Sequence, residues 1–179
     1  PHLMGIVNVT PDSFSDGGVY LDSSKALAGA RQMLADGASL VDIGGESMRP
    51  GAEPVAEQQE LARIMPVIEA LARDNSLISA DTRRPAVMRR ASAAGASFIN
   101  DVSGFQDKMA IDAARDSFLH SPGKFGVMAM HMQGTPETMQ DNPHYEFAPI
   151  DVFNALRDCR DRLEAAGIPR SHIILDPGY

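Results

Sequence analysis

LMGIVNVTPDSFSDGG, residues 3–18, starts as an apolar run and breaks into a polar, glycine-rich loop. Leu3 to Val9 has the near-continuous apolar character of a strand buried on both faces, which is the mark of a parallel sheet. The same grammar returns in SLVDI from Ser39, LISA from Leu77, SFIN from Ser97, GVMAM from Gly126 and HIIL from His172. Between these runs the apolar period changes to that of a helix. Ser24 to Ala35 puts Leu27, Ala30, Met33 and Leu34 on one face, and Glu57 to Arg73 does the same with Leu61, Ile64, Ile68 and Leu71. Pro85 suits the first turn of a third helix, and Phe153, Leu156, Leu163 and Ala166 stripe a late one. Asp36-Gly37, Ala94-Gly95 and Ala166-Gly167 each set glycine where a left-handed cap ends a helix. Ser117 to Lys124, the least regular stretch, reads as a surface loop.

Strands alternating with helices form either a doubly wound sheet or a TIM barrel, and periodicity alone does not separate them. The loops do. A nucleotide-binding doubly wound sheet would carry GxGxxG after its first strand, where this chain has NVTPDSFSDGG. The loops after all six strand candidates are rich in Asn, Asp, His, Arg and Gly, as when one site is assembled from many strand ends. The expected class is therefore α/β, a (β/α)8 TIM barrel of which this chain supplies about six strands. Such barrels take about 250 residues. Residues 1–179 accordingly read as a single barrel domain that is C-terminally incomplete, and the opening Pro1-His2 as a trimmed start.

Composition narrows the partners. With 44% hydrophobic residues and a net charge of -8, the chain can bury a core but shows no basic cluster for nucleic acid or an anionic membrane. A small-molecule substrate fits better. No apolar run approaches the ~20 residues of a membrane span. The one cysteine, Cys159, permits no internal disulfide, which suits a reducing, cytoplasmic setting. The 5 histidines form no HExxH or Cys/His spacing, so zinc is unsupported.

Chemistry concentrates in the loops. The first holds Asn8, Thr10, Asp12, Ser13, Ser15 and Asp16 before Gly17-Gly18. The second, GGESMRPGA from Gly44, offers Glu46, Ser47 and Arg49, and an arginine there can grip a phosphate with two parallel hydrogen bonds. Asp81-Thr82 and Asn100-Asp101-Val102 end the third and fourth runs. Carboxylates and amides at a barrel mouth suit a guanidine-like edge, although either aspartate could instead cap the next helix. MHMQGTPETMQ from Met130 and LDPG ending in Gly178 follow the fifth and sixth, with His131 as a weaker candidate.

These strings resemble the motifs of the dihydropteroate synthase family. MGIVNVTPDSFSDGG matches its signature almost letter for letter. GGESMRPGA is similar to the family's GGESTRPGA with Met48 in place of Thr, and SADT and INDVSG resemble SVDT and INDVSG. The resemblance implies an enzyme that condenses 6-hydroxymethyl-7,8-dihydropterin pyrophosphate with p-aminobenzoate, giving 7,8-dihydropteroate and pyrophosphate for folate synthesis. It implies a homodimer and assistance from Mg2+, with Asn8 as the metal's protein ligand. Asp81, Asn100 and Asp176 would hold the pterin and, with Arg49 on the phosphate side, carry the chemistry. Val102 and Met130 would line the pocket. Phe14 and Asp16, with Met48 and Pro50, would shape the aminobenzoate side. The family's later Lys, Ser and Arg-x-His elements have no counterpart in these residues, so the isolated chain is expected to be inactive. Two alternatives share the pterin pocket: a methyltetrahydrofolate-dependent methyltransferase, and a non-catalytic paralogue for which Met48 is the support.

Overall fold

The computed structural model describes residues 2–10, 19–47, 55–134, 138 and 143–178. Strands and helices alternate along the chain: β1 (Met4–Asn8), α1 (Val19–Ala35), β2 (Leu40–Gly44), α2 (Glu57–Arg73), β3 (Ile78–Asp81), α3 (Pro85–Ala93), β4 (Phe98–Asp101), α4 (Lys108–His120), β5 (Gly126–Met130), α5 (Ala148–Ala165) and β6 (Ile173–Asp176). The six strands form one sheet in the order β1-β2-β3-β4-β5-β6, every neighbouring pair parallel. Each crossover thus advances by one strand in the same direction. A doubly wound sheet reverses direction at a switch point, whereas a barrel does not. The sheet is an arc of a (β/α) barrel.

Alternation along each strand sorts its side chains. In register, Val7, Ile43, Ala80, Ile99 and Val127 share one face, joined by Val41, Ile78 and Ala129. All are buried, and they pack on Ala26 and Ala30 of α1, Ile64, Ile68 and Leu71 of α2, Val87, Met88 and Ala91 of α3, and Ala110, Ala113 and Ala114 of α4. Burying each large aliphatic side chain here contributes about 1.5–3 kcal/mol. The other face is layered differently. Its lower layer runs Ile6, Asp42, Ser79, Phe98, Gly126, and its upper layer Asn8, Gly44, Asp81, Asn100, Met128. In β2 and β3, outward apolar residues therefore alternate with inward Asp42, Ser79 and Asp81, although both strands read as simple apolar runs.

The cap glycines act as expected. Gly37, Gly95 and Gly167 have φ of 110°, 112° and 98°. In each case the glycine N–H donates to a carbonyl three residues back and the next N–H to one five residues back, as in Leu34/Met33, Ser92/Ala91 and Glu164/Leu163. That is the Schellman closure. Asn75, with φ of 56°, ends α2 in the same way.

Two expectations need correction. Ser117 to Lys124 is not all loop: α4 continues to His120, its last turn closed by the Ser121 N–H donating to the Ser117 and Phe118 carbonyls, with Ser117 buried. Phe153 does not belong to a buried stripe. It is 64% exposed, since Cys159 and Leu163 are the buried residues of α5.

The caps give a test. Gly37 and Gly95 share a backbone conformation, but a β-carbon at Gly37 meets nothing within 4 Å whereas one at Gly95 lies 2.8 Å from Ala72 Cβ. Gly37→Ala should lower the unfolding free energy of the full-length protein by about 1 kcal/mol from strain alone. Gly95→Ala should cost visibly more in the same urea titration. Equal losses would remove the steric part of this account.

Candidate active site

The upper inner layer brings together residues from four strand ends. Asn8, Gly44, Asp81 and Asn100 are consecutive register partners on β1 to β4. Gly44 is the gap that lets them converge. A β-carbon there would sit 3.1 Å from Asp81 Oδ2 and 3.3 Å from Asn8 Oδ1, so both oxygens border the space that glycine leaves open. Asp176 ends β6 opposite Met130, which lies two residues beyond Met128 and so one layer higher. That stagger is the shear of a barrel. Asp176 is exposed, and its Oδ1 accepts the Gly178 N–H at 2.9 Å. Beneath the layer, the Phe98 ring fills the space over Gly126, where a β-carbon would come within 2.8 Å of it.

Asp42 belongs to this site although its sequence context hides it. It lies one layer below Gly44, is 5% exposed, and its Oδ2 accepts Asn100 Nδ2 at 2.9 Å. Its Oδ1 and the Ser79 hydroxyl at the paired position of β3 are both buried and, among the described residues, neither completes a well-aligned hydrogen bond, although the hydroxyl lies near enough to steady the carboxylate. SLVDI reads as one apolar run, yet Val41 and Ile43 point outward and Asp42 between them inward. Period-two alternation was the signal that could have found it.

Among the described residues, several acids share this region with few cations. Burial pushes the Asp81 carboxyl well above its ordinary range, and the charges of Asp42, Glu60, Asp101 and Glu46 push it further. Asp42 is raised by burial too, with the nearby Ser79 hydroxyl and Asn100 amide pulling it back. A cleft where desolvation and like charges raise carboxyl pKa values is a site for hydrogen-bond donors. Asp101 faces the opposite side of β4 from Asn100 and does something else. It is fully buried and accepts from Ser103 N at 2.8 Å, Ser103 Oγ at 2.6 Å and Phe105 N at 3.0 Å, folding the turn after β4. Neither aspartate caps the following helix: α4 is capped by Asp107, and α3 has no side-chain cap.

Glu46 is spoken for as well. Its carboxylate binds Arg84 through Nη2 at 2.9 Å and Nη1 at 3.1 Å and Arg83 Nε at 3.3 Å, and it accepts the Val55 N–H at 3.0 Å. Burial works against that charge, but the Arg84 hydrogen bond, the Val55 amide and both arginines hold the carboxyl below its ordinary range. Arg84 also reaches Glu60, 1% exposed, at 2.5 Å, and the Val55 carbonyl. The network therefore ties Glu46 to Val55, at either end of the loop between β2 and α2. This clasp was not apparent in the sequence, because its arginine contacts reach across 24 to 38 positions.

The remaining expected residues fall as follows. Val102 is buried and, with Glu46, Glu60, Asp81, Thr82 and Arg83, lines a small cavity under the mouth. Met130 lines a separate cavity of about 220 Å³ between the loops after β4 and β5 and α5, together with His131 and Cys159. His131 lies 3.2 Å from the Tyr145 hydroxyl, and burial lowers its pKa. Phe14, Asp16, Met48, Arg49 and Pro50 lie outside the described residues. Among the described residues no group of three His, Cys, Asp or Glu side chains is arranged to hold a metal. No described helix is long and apolar enough to cross a membrane. A cleft of about 700 Å³ between α3 and α4 is lined by residues that precede β4 and β5, so it lies away from these strand ends.

Residues 4–179 match the family described as pterin binding enzyme. The chain is 43% identical over 180 residues to the dihydropteroate synthase of Escherichia coli (strain K12), an alignment covering 100% of the chain and 62% of that protein. It is 46% identical over 181 residues to the dihydropteroate synthase of Neisseria meningitidis serogroup B, again across 100% of the chain and 62% of the relative. Among solved structures, the Yersinia pestis dihydropteroate synthase with a sulfonamide drug complex superposes with a TM-score of 0.89 at 45% identity, covering 100% of the chain and 63% of that structure. The Burkholderia cenocepacia dihydropteroate synthase complexed with 7,8-dihydropteroate gives 0.84 at 46% identity, covering 100% and 59%. The chain thus spans about 62% of the length of the curated relatives it matches.

The clasp can be tested without substrate. Arg84→Met leaves Glu46 and Glu60 buried beside each other with one fewer cation, and should lower the unfolding free energy at neutral pH by about 3 kcal/mol. Glu46 is held below its ordinary value of 4.5, so its share of the stability is present above that value and is lost as pH falls through the lowered one. Urea titrations of parent and variant should therefore converge in acid. A small loss, equal at every pH, would mean that the arginine is only a surface partner.

Proposed function

The chain belongs to the pterin-binding enzyme family, and from that premise we propose that the protein it comes from is a dihydropteroate synthase. The aniline nitrogen of p-aminobenzoate attacks the methylene of 6-hydroxymethyl-7,8-dihydropterin pyrophosphate. The C–O bond to pyrophosphate breaks, the amine gives up a proton, and 7,8-dihydropteroate forms for folate biosynthesis. The observation that carries this reading is the inward polar layer of Asn8, Asp81 and Asn100 above Asp42, set at the carboxyl ends of parallel strands. The matches to dihydropteroate synthases across 100% of the chain support it.

A pterin edge offers ring N–H and amine donors beside a carbonyl acceptor. Asp81, with its raised carboxyl, and Asn100 complement that edge. A donor edge favours the charged form of Asp81, and the resulting negative charge then faces the methylene where positive charge builds in the transition state. Asp176, one layer higher, closes the same ligand from the β6 side. Val102 and Met130 are proposed as walls, Arg49 as the phosphate partner, and Phe14, Asp16, Met48 and Pro50 as the aminobenzoate side. Residues 1–179 are taken as one barrel domain, and turnover is proposed to need the rest of the protein, acting as a cytoplasmic homodimer.

Magnesium fits in a limited way. The exposed amide oxygen of Asn8 borders the same opening as Asp81, which suits a hard cation completed by water and phosphate oxygens rather than a cage of protein ligands. When bound there, it would supply charge neutralisation for the departing pyrophosphate. The protein's own part is to orient the pterin, keep the methylene dry and leave the aniline a straight approach.

The test is a pyrophosphate-release assay on the full-length protein with both substrates. Release that requires p-aminobenzoate and yields 7,8-dihydropteroate is expected, and Asp81→Asn should lower kcat/KM by about a hundredfold. No product from the full-length protein overturns the proposal. In the same assay Met48→Thr should change kcat/KM for p-aminobenzoate by less than about tenfold, the worth of one neutral hydrogen bond. A much larger gain would point to a weakened paralogue.

A further inference from the structure

Asn100 makes one side-chain hydrogen bond among the described residues, and it points away from the mouth: Nδ2 donates to Asp42 Oδ2 at 2.9 Å. The contact spans β3. Asp42 on β2 is the register partner of Ser79, which in turn pairs with Phe98, two residues before Asn100 on β4. Ser79 is small and fully buried, so the two longer side chains meet over it inside the arc. A carboxylate has no hydrogen to give, so it selects the amine end of the amide and leaves the carbonyl end for whatever lies beyond. Asp42 is 5% exposed and too deep to serve as the primary ligand contact.

We propose that Asp42 is a positioning residue: by holding Nδ2 of Asn100 it fixes the amide with Oδ1 toward the mouth, so that Asn100 accepts an N–H from a pterin instead of presenting a second donor to it. The inference rests on the pterin reading of the site. It explains why a buried carboxylate is kept where an apolar residue would cost less, since an unheld asparagine could turn over and meet the ligand's donors with its own.

The probe is 6-hydroxymethylpterin, bound to the full-length protein and followed by its fluorescence, with KM for p-aminobenzoate measured on the same preparations. Asp42→Asn is nearly isosteric but can offer Asn100 either a donor or an acceptor. It should weaken probe binding by about tenfold or more, the usual loss for a hydrogen bond to a charged group, and leave KM for p-aminobenzoate unchanged. Asn100→Asp alone should weaken it as well, because two carboxylates then face each other. The swapped pair Asp42→Asn/Asn100→Asp restores a donor below and an acceptor above, and should bind within a few-fold of the parent (about threefold). A merely structural role would not predict that recovery. Probe binding by Asp42→Asn equal to the parent's, or a double variant as weak as the two single losses combined, would overturn the inference alone. No probe binding by the parent would overturn the pterin reading and this inference with it.

Discussion

The parallel register of the strands is the constraint on which everything else depends. Because neighbours pair Asn8 with Gly44, Gly44 with Asp81 and Asp81 with Asn100, residues far apart in the chain are set side by side on one face. The pleat then decides which residues see water and which see helices. Val41, Ile43, Ala80 and Ile99 go out into the core, while Asp42, Asp81 and Asn100 go in. A one-residue slip in β3 would exchange Asp81 with Ala80, destroying site and core together. Stability and site geometry are thus two consequences of a single alignment.

The inward face carries an electrostatic cost that the core offsets. The Asp42 charge raises the penalty on ionising Asp81, to which burial contributes most, and Glu60 and Asp101 add to it. Arg84 and Arg83 answer Glu46, and Arg84 also answers Glu60, but neither has a hydrogen bond to Asp81. The charges are therefore partitioned. One group is neutralised by arginine and holds the ends of the β2–α2 loop together; the other, at the strand ends, meets few donors among the described residues. A ligand with several N–H groups relieves the second group without disturbing the first.

Much of this was legible in the sequence, for identifiable reasons. Strands and helices were readable because their apolar periods are strong and the cap glycines mark the ends, so α2 runs from Glu57 to Arg73 as expected. Asp81 and Asn100 stood out because each ends an apolar run just before a polar loop. Asp42 did not, because two flanking aliphatics made SLVDI look uniformly buried. The Arg84 clasp depends on long-range pairing that no local pattern encodes. Phe153 looked like core because helical spacing identifies a stripe but not whether anything packs on it.

Burial and neighbouring carboxylates make the surroundings of Asp81 a desolvated acidic socket suited to a donor-rich ligand. The Asp81 carboxyl carbon can be followed by 13C NMR across pH in the full-length protein, without and with 6-hydroxymethylpterin. The expected result is a free-state titration well above the ordinary value of 3.8 and a downward shift when the pterin's N–H groups bind the charged form. Titration in the ordinary carboxylate range, unmoved by the pterin, would contradict it.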